Sequence, residues 1–404
     1  MAKKVTAKVK PSVLAWARES AGLSLSEAAK RVDIAVDALQ AWETPSDPQA
    51  SPSVPKLRKL AEAYKRPLAV LYLPEPPLTF QALKDFRRLP GGGIPAMPAE
   101  VVLEARLARE RRESVLSLAE DAELAMKAFS LSGTLQDSPE ELGGRIRDWL
   151  GISAPLPSAY KDATGHKALK YWRAAIESKD VLVLQSSRFP ASVASGFAIY
   201  ESTLPIIVIS RKEATPRRRL FSLVHEFAHL VLRASGVSDL DLDVDLARPP
   251  EELRVEVFCN AVAAAALMPT QAIAQHRVVR ATVHGMEWTD QQLDELSRDI
   301  GASREAILRR LLTMGLTTKT YYEEVRDRYR REWDEQRKKA KAGPKSDIPR
   351  NMAQEAFGDL GRRYVGLVLD QFYHQRLTLS DVAGHFGVKT RHIPAIEQMV
   401  RKSA

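Results

Sequence analysis

Thr215-Pro-Arg-Arg-Arg-Leu-Phe-Ser-Leu-Val-His-Glu-Phe-Ala-His-Leu-Val-Leu-Arg233 is the stretch from which the rest of the chain can be read. Thr215 can accept a hydrogen bond from a first-turn amide, and Pro216 has no amide to leave unsatisfied, so the pair predicts a helix start. The helix is expected to run to about Arg233, with Gly236 ending it. Leu220, Leu223, Val224, Phe227, Leu230 and Val231 make much of its circumference apolar, which predicts burial. His225, Glu226 and His229 stand on that helix. Positions i and i+4 project from one face, so both imidazoles can reach one ion. Glu226, about a quarter turn away, is directed past the ion toward a water, where a general base is needed. Without an ion, two imidazoles and a carboxylate would be buried with nothing to offset their desolvation.

The H-E-x-x-H spacing suits zinc, one ion per chain, and a catalytic zinc usually takes three protein ligands and keeps one position open. Downstream the candidates for the third ligand are Asp239, Asp241, Asp243 and Asp245, then Glu251, Glu252 and Glu256 on a following helix. Geometry alone leaves the choice open. Those aspartates lack the glycine that an EF-hand loop requires, so they read as an acidic loop rather than a calcium site.

Glu256-Val-Phe-Cys-Asn260 followed by Ala261-Val-Ala-Ala-Ala-Ala-Leu-Met-Pro269 resembles the E-x-x-A-N-x-F-A-A-x-L-L-M-P signature of the ImmA/IrrE family of metallopeptidases. The resemblance spans about residues 195–269, with Val262 and Cys259 in place of the usual phenylalanine and alanine. It implies that Glu256 is the third metal ligand. Asn260, one turn on, faces the same side and is a candidate to support the ligands. Cys259 shares that face; a small buried residue is the simpler reading and a soft ligand the other. Tyr200, His276 and Arg217 to Arg219 are the candidates for stabilising an oxyanion.

Outward from this helix, Val181 to Leu184, Ala194 to Tyr200 and Pro205 to Ser210 are β-branched runs bounded by turn residues, and predict a small sheet. Beyond Glu251 the pattern is helical, broken at Met268-Pro269 and ending in a charged run from Tyr321 to Lys345. No internal repeat of fixed period is evident. The fold expected is α+β and predominantly helical: residues 1–76 a helix-turn-helix, 77–159 a linker with connecting helices, 160–275 a zincin-like metallopeptidase domain, and 276–404 a helical C-terminal region. Leu73-Pro-Glu-Pro-Pro77 and Leu89-Pro-Gly-Gly-Gly-Ile-Pro95 mark breaks, because consecutive prolines remove donors and force extended geometry.

Near the N-terminus, Trp16 to Glu43 is similar to the helix-turn-helix of XRE/Cro-type regulators. Ser24 and Glu27 make a capping box, Leu25 to Val32 the first helix, and Ala35 to Trp42 the recognition helix. Base reading favours Arg, Lys, Asn and Gln, yet this segment offers Ala35, Val36, Asp37, Ala38 and only Gln40. Lys56, Arg58 and Lys59, with Lys65, Arg66, Arg87 and Arg88, are candidates for phosphate contacts. The helix-turn-helix joined to the peptidase signature looks like a subgroup that includes DNA-damage-responsive proteases. In these, cleavage of a repressor releases mobile-element, radiation-response or antiphage-defence genes. The resemblance thus implies a small helix-turn-helix repressor as protein substrate. The alternative is a DNA-binding transcriptional regulator that uses the metallopeptidase fold as a sensor or scaffold.

Composition fits this picture. At 404 residues the chain exceeds one ordinary core, and its 45% hydrophobic and 27% charged content is that of a globular protein. The net charge is +9, and residues 1–90 hold 15 Lys/Arg against 9 Asp/Glu, so +6 of it is concentrated there. An anionic partner follows. DNA as an activator, single-stranded more than a specific duplex, is the expectation, with Arg217, Arg218 and Arg219 as further anion candidates. One cysteine permits no intrachain disulfide, and the longest apolar run, Ala261 to Met268, is too short to span a membrane. A cytoplasmic setting is expected.

Overall fold

A computed structural model describes residues 6–44, 50–77, 98–154, 156–234, 236–238, 250–281, 287–342 and 350–402. The chain divides into two compact units, Met1–Leu107 and Ala108–Ala404. The division falls within a helix, Ala99–Asp121, and not at the Leu73–Pro77 break. The Leu89–Pro95 stretch lies outside the described residues, as do Arg87, Arg88 and Asp239 to Asp245.

The first unit carries α1 (Pro11–Glu19), α2 (Leu25–Val32), α3 (Val36–Glu43) and α4 (Val54–Ala63), and α5 (Ala99–Asp121) begins in it. The expected capping box is present: the Ser24 hydroxyl accepts from the Glu27 amide, and the Glu27 carboxylate accepts from the Ser24 amide at 2.8 Å. Asp33 ends α2 in the left-handed conformation (φ 56°), and Ile34 N donates back to Ala29 O. Leu14, Ala28, Leu39, Leu57, Leu60, Tyr64 and Leu71 form its core. Arg18 bridges the end of α3, donating to Glu43 at 2.9 Å and to Leu23 O at 2.8 Å.

The second unit continues with α6 (Pro139–Leu150) and α7 (His166–Glu177), then strands β1 (Leu182–Ser186), β2 (Gly196–Ile199) and β3 (Ile206–Ser210). Next come α8 (Pro216–Val231), β4 (Gly236–Ser238) and α9 (Pro250–Leu267). Among the described residues the sheet has the order β1-β3-β2-β4, with β1 parallel to β3 and the other pairs antiparallel. Every residue of β1, β2 and β3 is buried, as expected when helices cover a sheet. α8 packs on β2 and β3, and α9 packs on both α8 and α6.

The start of α8 follows the sequence reading, since Thr215 accepts from Arg218 N and Pro216 occupies the first turn. Its end does not. The helix stops at Val231, Arg233 takes the left-handed conformation (φ 54°), and Gly236 opens strand β4. Pairing of β4 with β2 is the tertiary demand that overrides the local glycine signal.

α6 and α9 approach closely through Gly143: a Cβ there would lie 2.7 Å from Ala266 N. Two guanidinium groups hold the carbonyl end of α9. Arg147 donates to Ala266 O at 2.8 Å, and Arg310 donates to Met268 O at 3.0 Å while pairing with Glu140. Arg310 lies on α13 (Arg304–Thr313), which follows α10 (Thr270–Ala274), α11 (Arg277–Arg280) and α12 (Asp290–Ile300). The charged run forms α14 (Lys319–Ala342). The chain closes with α15 (Met352–Tyr373), α16 (Leu379–Phe386) and α17 (Ile393–Lys402). α15 breaks at Gly361 (φ 81°, ψ 160°), and before the break Gly358 O accepts from Arg173 at 2.6 Å and Gln185 at 2.9 Å. Among the described residues no helix is long and apolar enough to cross a membrane.

Candidate metal centre

α8 and α9 bring His225, His229 and Glu256 together. The two Nε2 atoms lie 3.1 Å apart, and the Glu256 carboxylate oxygens stand 3.2 Å from His225 Nε2 and 3.5 Å from His229 Nε2. Ligand atoms about 2.1 Å from one ion at tetrahedral angles lie about 3.4 Å apart, so these spacings fit a single small divalent ion. All three residues are buried. Burial pushes the His225 imidazole below its ordinary pKa, with the Glu256 carboxylate and Asn260 opposing. Burial by itself would raise Glu256, but hydrogen bonds to His225 and His229 outweigh it and hold the carboxyl far below the usual range. Neutral imidazole and ionised carboxylate are the forms that bind metal.

Glu226 is fully buried beside this group, against the sheet. Its room comes from Gly196 in β2, where a Cβ would meet Glu226 Cγ and Oε1 at 3.0 Å and Val208 O at 2.8 Å. The sequence reading had no hold on Gly196, because only the sheet register sets it against the helix. Asn260, half-buried on α9, acts on the His225 imidazole. Cys259 is fully buried, and burial, with Glu256 and Glu226 adding to it, pushes its thiol well up, which keeps it protonated. This suits a packing residue better than a soft ligand.

The other candidates are placed apart from one another. Arg217 is half-buried and donates to Asp162 O at 3.5 Å, Arg218 pairs with Glu213 at 3.1 Å, and Arg219 donates to Gln185 at 3.3 Å. The three arginines that are candidates for anion binding thus have three separate partners. His276 caps α11 by accepting from Val278 N and bonds Asp299 at 3.0 Å, in a group with Glu295 separate from the histidine pair. Tyr200 packs edge-on against Phe129. In the first unit Gln40, Arg58 and Lys59 are exposed, but Lys56 donates to Asp33 O at 2.8 Å and helps cap α2. Arg66 lies over the Trp16 ring and donates to Ser20.

Comparison with known proteins agrees with this layout. Residues 180–312 match the family model of the IrrE N-terminal-like domain, and residues 14–71 match a helix-turn-helix model. The radiation response metalloprotease IrrE of Deinococcus radiodurans is 38% identical over 71 residues, which cover 17% of this chain and 21% of that protein. The chain thus matches about a fifth of the length of that relative. It joins a segment that matches the helix-turn-helix model to one that matches the IrrE N-terminal-like domain model, within an α+β, predominantly helical fold.

Proposed function

We propose that the chain is a zinc-dependent endopeptidase that cleaves a partner transcriptional repressor and thereby derepresses genes under stress. The observation that carries the reading is the convergence of His225, His229 and Glu256 on one buried point with Glu226 beside it. His225, His229 and Glu256 would hold the ion, leaving one position open. When bound, the ion lowers the pKa of water and polarises a carbonyl oxygen. Glu226 removes a proton from the attacking water and returns it to the leaving amine. Asn260 steadies His225. The joined helix-turn-helix domain supports a regulatory rather than a degradative role, and DNA is the proposed trigger. A scaffold without catalysis would have no use for a buried carboxylate at position 226.

Two measurements test this. Metal analysis of the purified protein is expected to give about one zinc per chain, lost in His225→Ala and Glu256→Ala. Glu226→Gln is expected to keep metal and fold while repressor cleavage falls about 100-fold to 10,000-fold, because an amide cannot accept the proton. Full metal in both ligand variants would remove the site, and undiminished cleavage by Glu226→Gln would remove the base.

A further inference from the structure

Two stretches at opposite ends of the chain build the same turn of structure. Residues 23–43 and 377–397 align without a gap: Leu23, Leu25, Ser26, Ala29, Ala41 and Glu43 recur as Leu377, Leu379, Ser380, Ala383, Ala395 and Glu397. Ser24 and Thr378 are both extended N-caps that close a capping box, with Glu27 and Asp381 respectively. Each opens an eight-residue helix. Asp33 (φ 56°) and Gly387 (φ 64°) both end it in the left-handed conformation. Ile34 N donates to Ala29 O at 3.1 Å, and Val388 N to Ala383 O at 3.1 Å. Ala35 (φ −67°, ψ 145°) and Lys389 (φ −73°, ψ 149°) then start the next helical segment from the same extended geometry.

The packing follows suit. Val382, Phe386 and Ile393 are buried where Ala28, Val32 and Leu39 are buried in the first stretch. The half of α15 after Gly361 supplies the third helix through Val365, Val368 and Leu369, packed on α16 and α17. The first stretch lies within the segment that matches the helix-turn-helix model.

The chemistry of the two copies differs at the leading turn of the second helix. Ala35, Val36, Asp37 and Ala38 in the first copy become Lys389, Thr390, Arg391 and His392 in the second. Lys389, Thr390 and Arg391 are exposed. Residues 374–402 hold five Lys/Arg against two Asp/Glu. Both acids are already engaged, Asp381 in its capping box and Glu397 with Arg401. The leading turn of a recognition helix is the part that meets base edges and flanking phosphates, and lysine, threonine and arginine are suited to both.

We propose that residues 362–402 form a second helix-turn-helix whose leading turn, at Lys389, Thr390 and Arg391, binds double-stranded DNA. The inference is independent of peptidase activity. It assigns duplex contact to the C-terminal copy, which has the cationic side chains that the N-terminal recognition helix lacks.

The test is binding of the full chain to a fluorescent mixed-sequence duplex of about two helical turns, followed by anisotropy across a salt series. Lys389→Ala/Arg391→Ala is expected to weaken binding about ten-fold or more at low salt and to flatten the log–log salt slope by about 2, one unit per lost phosphate contact. Both positions are exposed, so melting temperature and metal content should stay at wild-type values, and Arg391→Glu should weaken binding further. Wild-type affinity and slope in the double variant would overturn the proposal, as would failure of the wild-type chain to bind the duplex at low salt. Equal loss on a single-stranded oligonucleotide of the same length, with no preference for the duplex, would also overturn it.

Discussion

Replacing Gly196 with alanine places one methyl carbon between the sheet and Glu226, the proposed general base. That carbon would stand 2.8 Å from Val208 O and 3.0 Å from Glu226 Cγ and Oε1, where ordinary contact begins at 3.4 Å. Val208 belongs to β3, paired on both sides by β1 and β2, so its carbonyl is held. The carboxylate side chain is the softer neighbour and has to retreat by about 0.4 Å. A displacement of 1 Å at a reacting centre can cost about 100-fold, so a retreat of this size should cost about five-fold to ten-fold in kcat/KM. Residual overpacking should lower stability by about 1 to 3 kcal/mol. The three atoms nearest the methyl belong to Val208 and Glu226 and not to the histidines or Glu256, so bound metal should remain at the wild-type level. The assay is cleavage of the cognate repressor well below the melting temperature, with metal content measured on the same sample. Wild-type kcat/KM in Gly196→Ala, or activity lost only in step with metal, would show that the space at Gly196 does not position Glu226.

Two further outcomes are expected. A single-stranded oligonucleotide at low salt should stimulate repressor cleavage, and the stimulation should decline steeply as salt rises through counterion release; equal rates with and without it would end the DNA trigger while leaving the peptidase reading intact. Burial depresses the pKa of His385, with Asp381 opposing, and Tyr364 Oη lies 3.1 Å from its Nδ1. A base whose folded pKa lies below its ordinary 6.5 binds its proton more readily when unfolded, so its contribution to stability is present above that pH and lost as pH falls through it. Melting temperature measured from about pH 8 down to about pH 5 should therefore fall more steeply in the wild type than in His385→Asn, and parallel curves would exclude this residue as the cause.

Much of this molecule was legible from local rules. The Ser24 capping box, the Thr215-Pro216 start and the three β-branched runs each formed where short-range chemistry predicts. His225, Glu226 and His229 are likewise a local pattern, since helical spacing alone puts the two histidines on one face and Glu226 about a quarter turn away. Glu256 is different in kind. It comes from another helix, and only a family resemblance singled it out among seven acidic residues. What stayed hidden depends on distant partners: Gly196 matters because of strand register, and the arginines at 217 to 219 take three separate partners, Asp162, Glu213 and Gln185. The C-terminal copy of the helix-turn-helix was obscured by Gly384 and Pro394, which dilute a helical pattern although the caps around them persist.

The grip of Arg147 and Arg310 on the carbonyls at the end of α9, Ala266 O and Met268 O, bears on where the chain can be cut. A fragment ending at residue 275 keeps His225, Glu226, His229 and Glu256, yet it discards Arg310 and leaves Met268 O and Glu140 without that guanidinium. The far end of the helix that presents Glu256 would then keep the Arg147 guanidinium and its packing on α6, but lose the second guanidinium. The hold on this end of α9 thus reaches to α13, about as far as the matched family domain does. A cut between α9 and α13 is therefore expected to loosen the helix that carries Glu256 from a distance, without touching His225, Glu226 or His229.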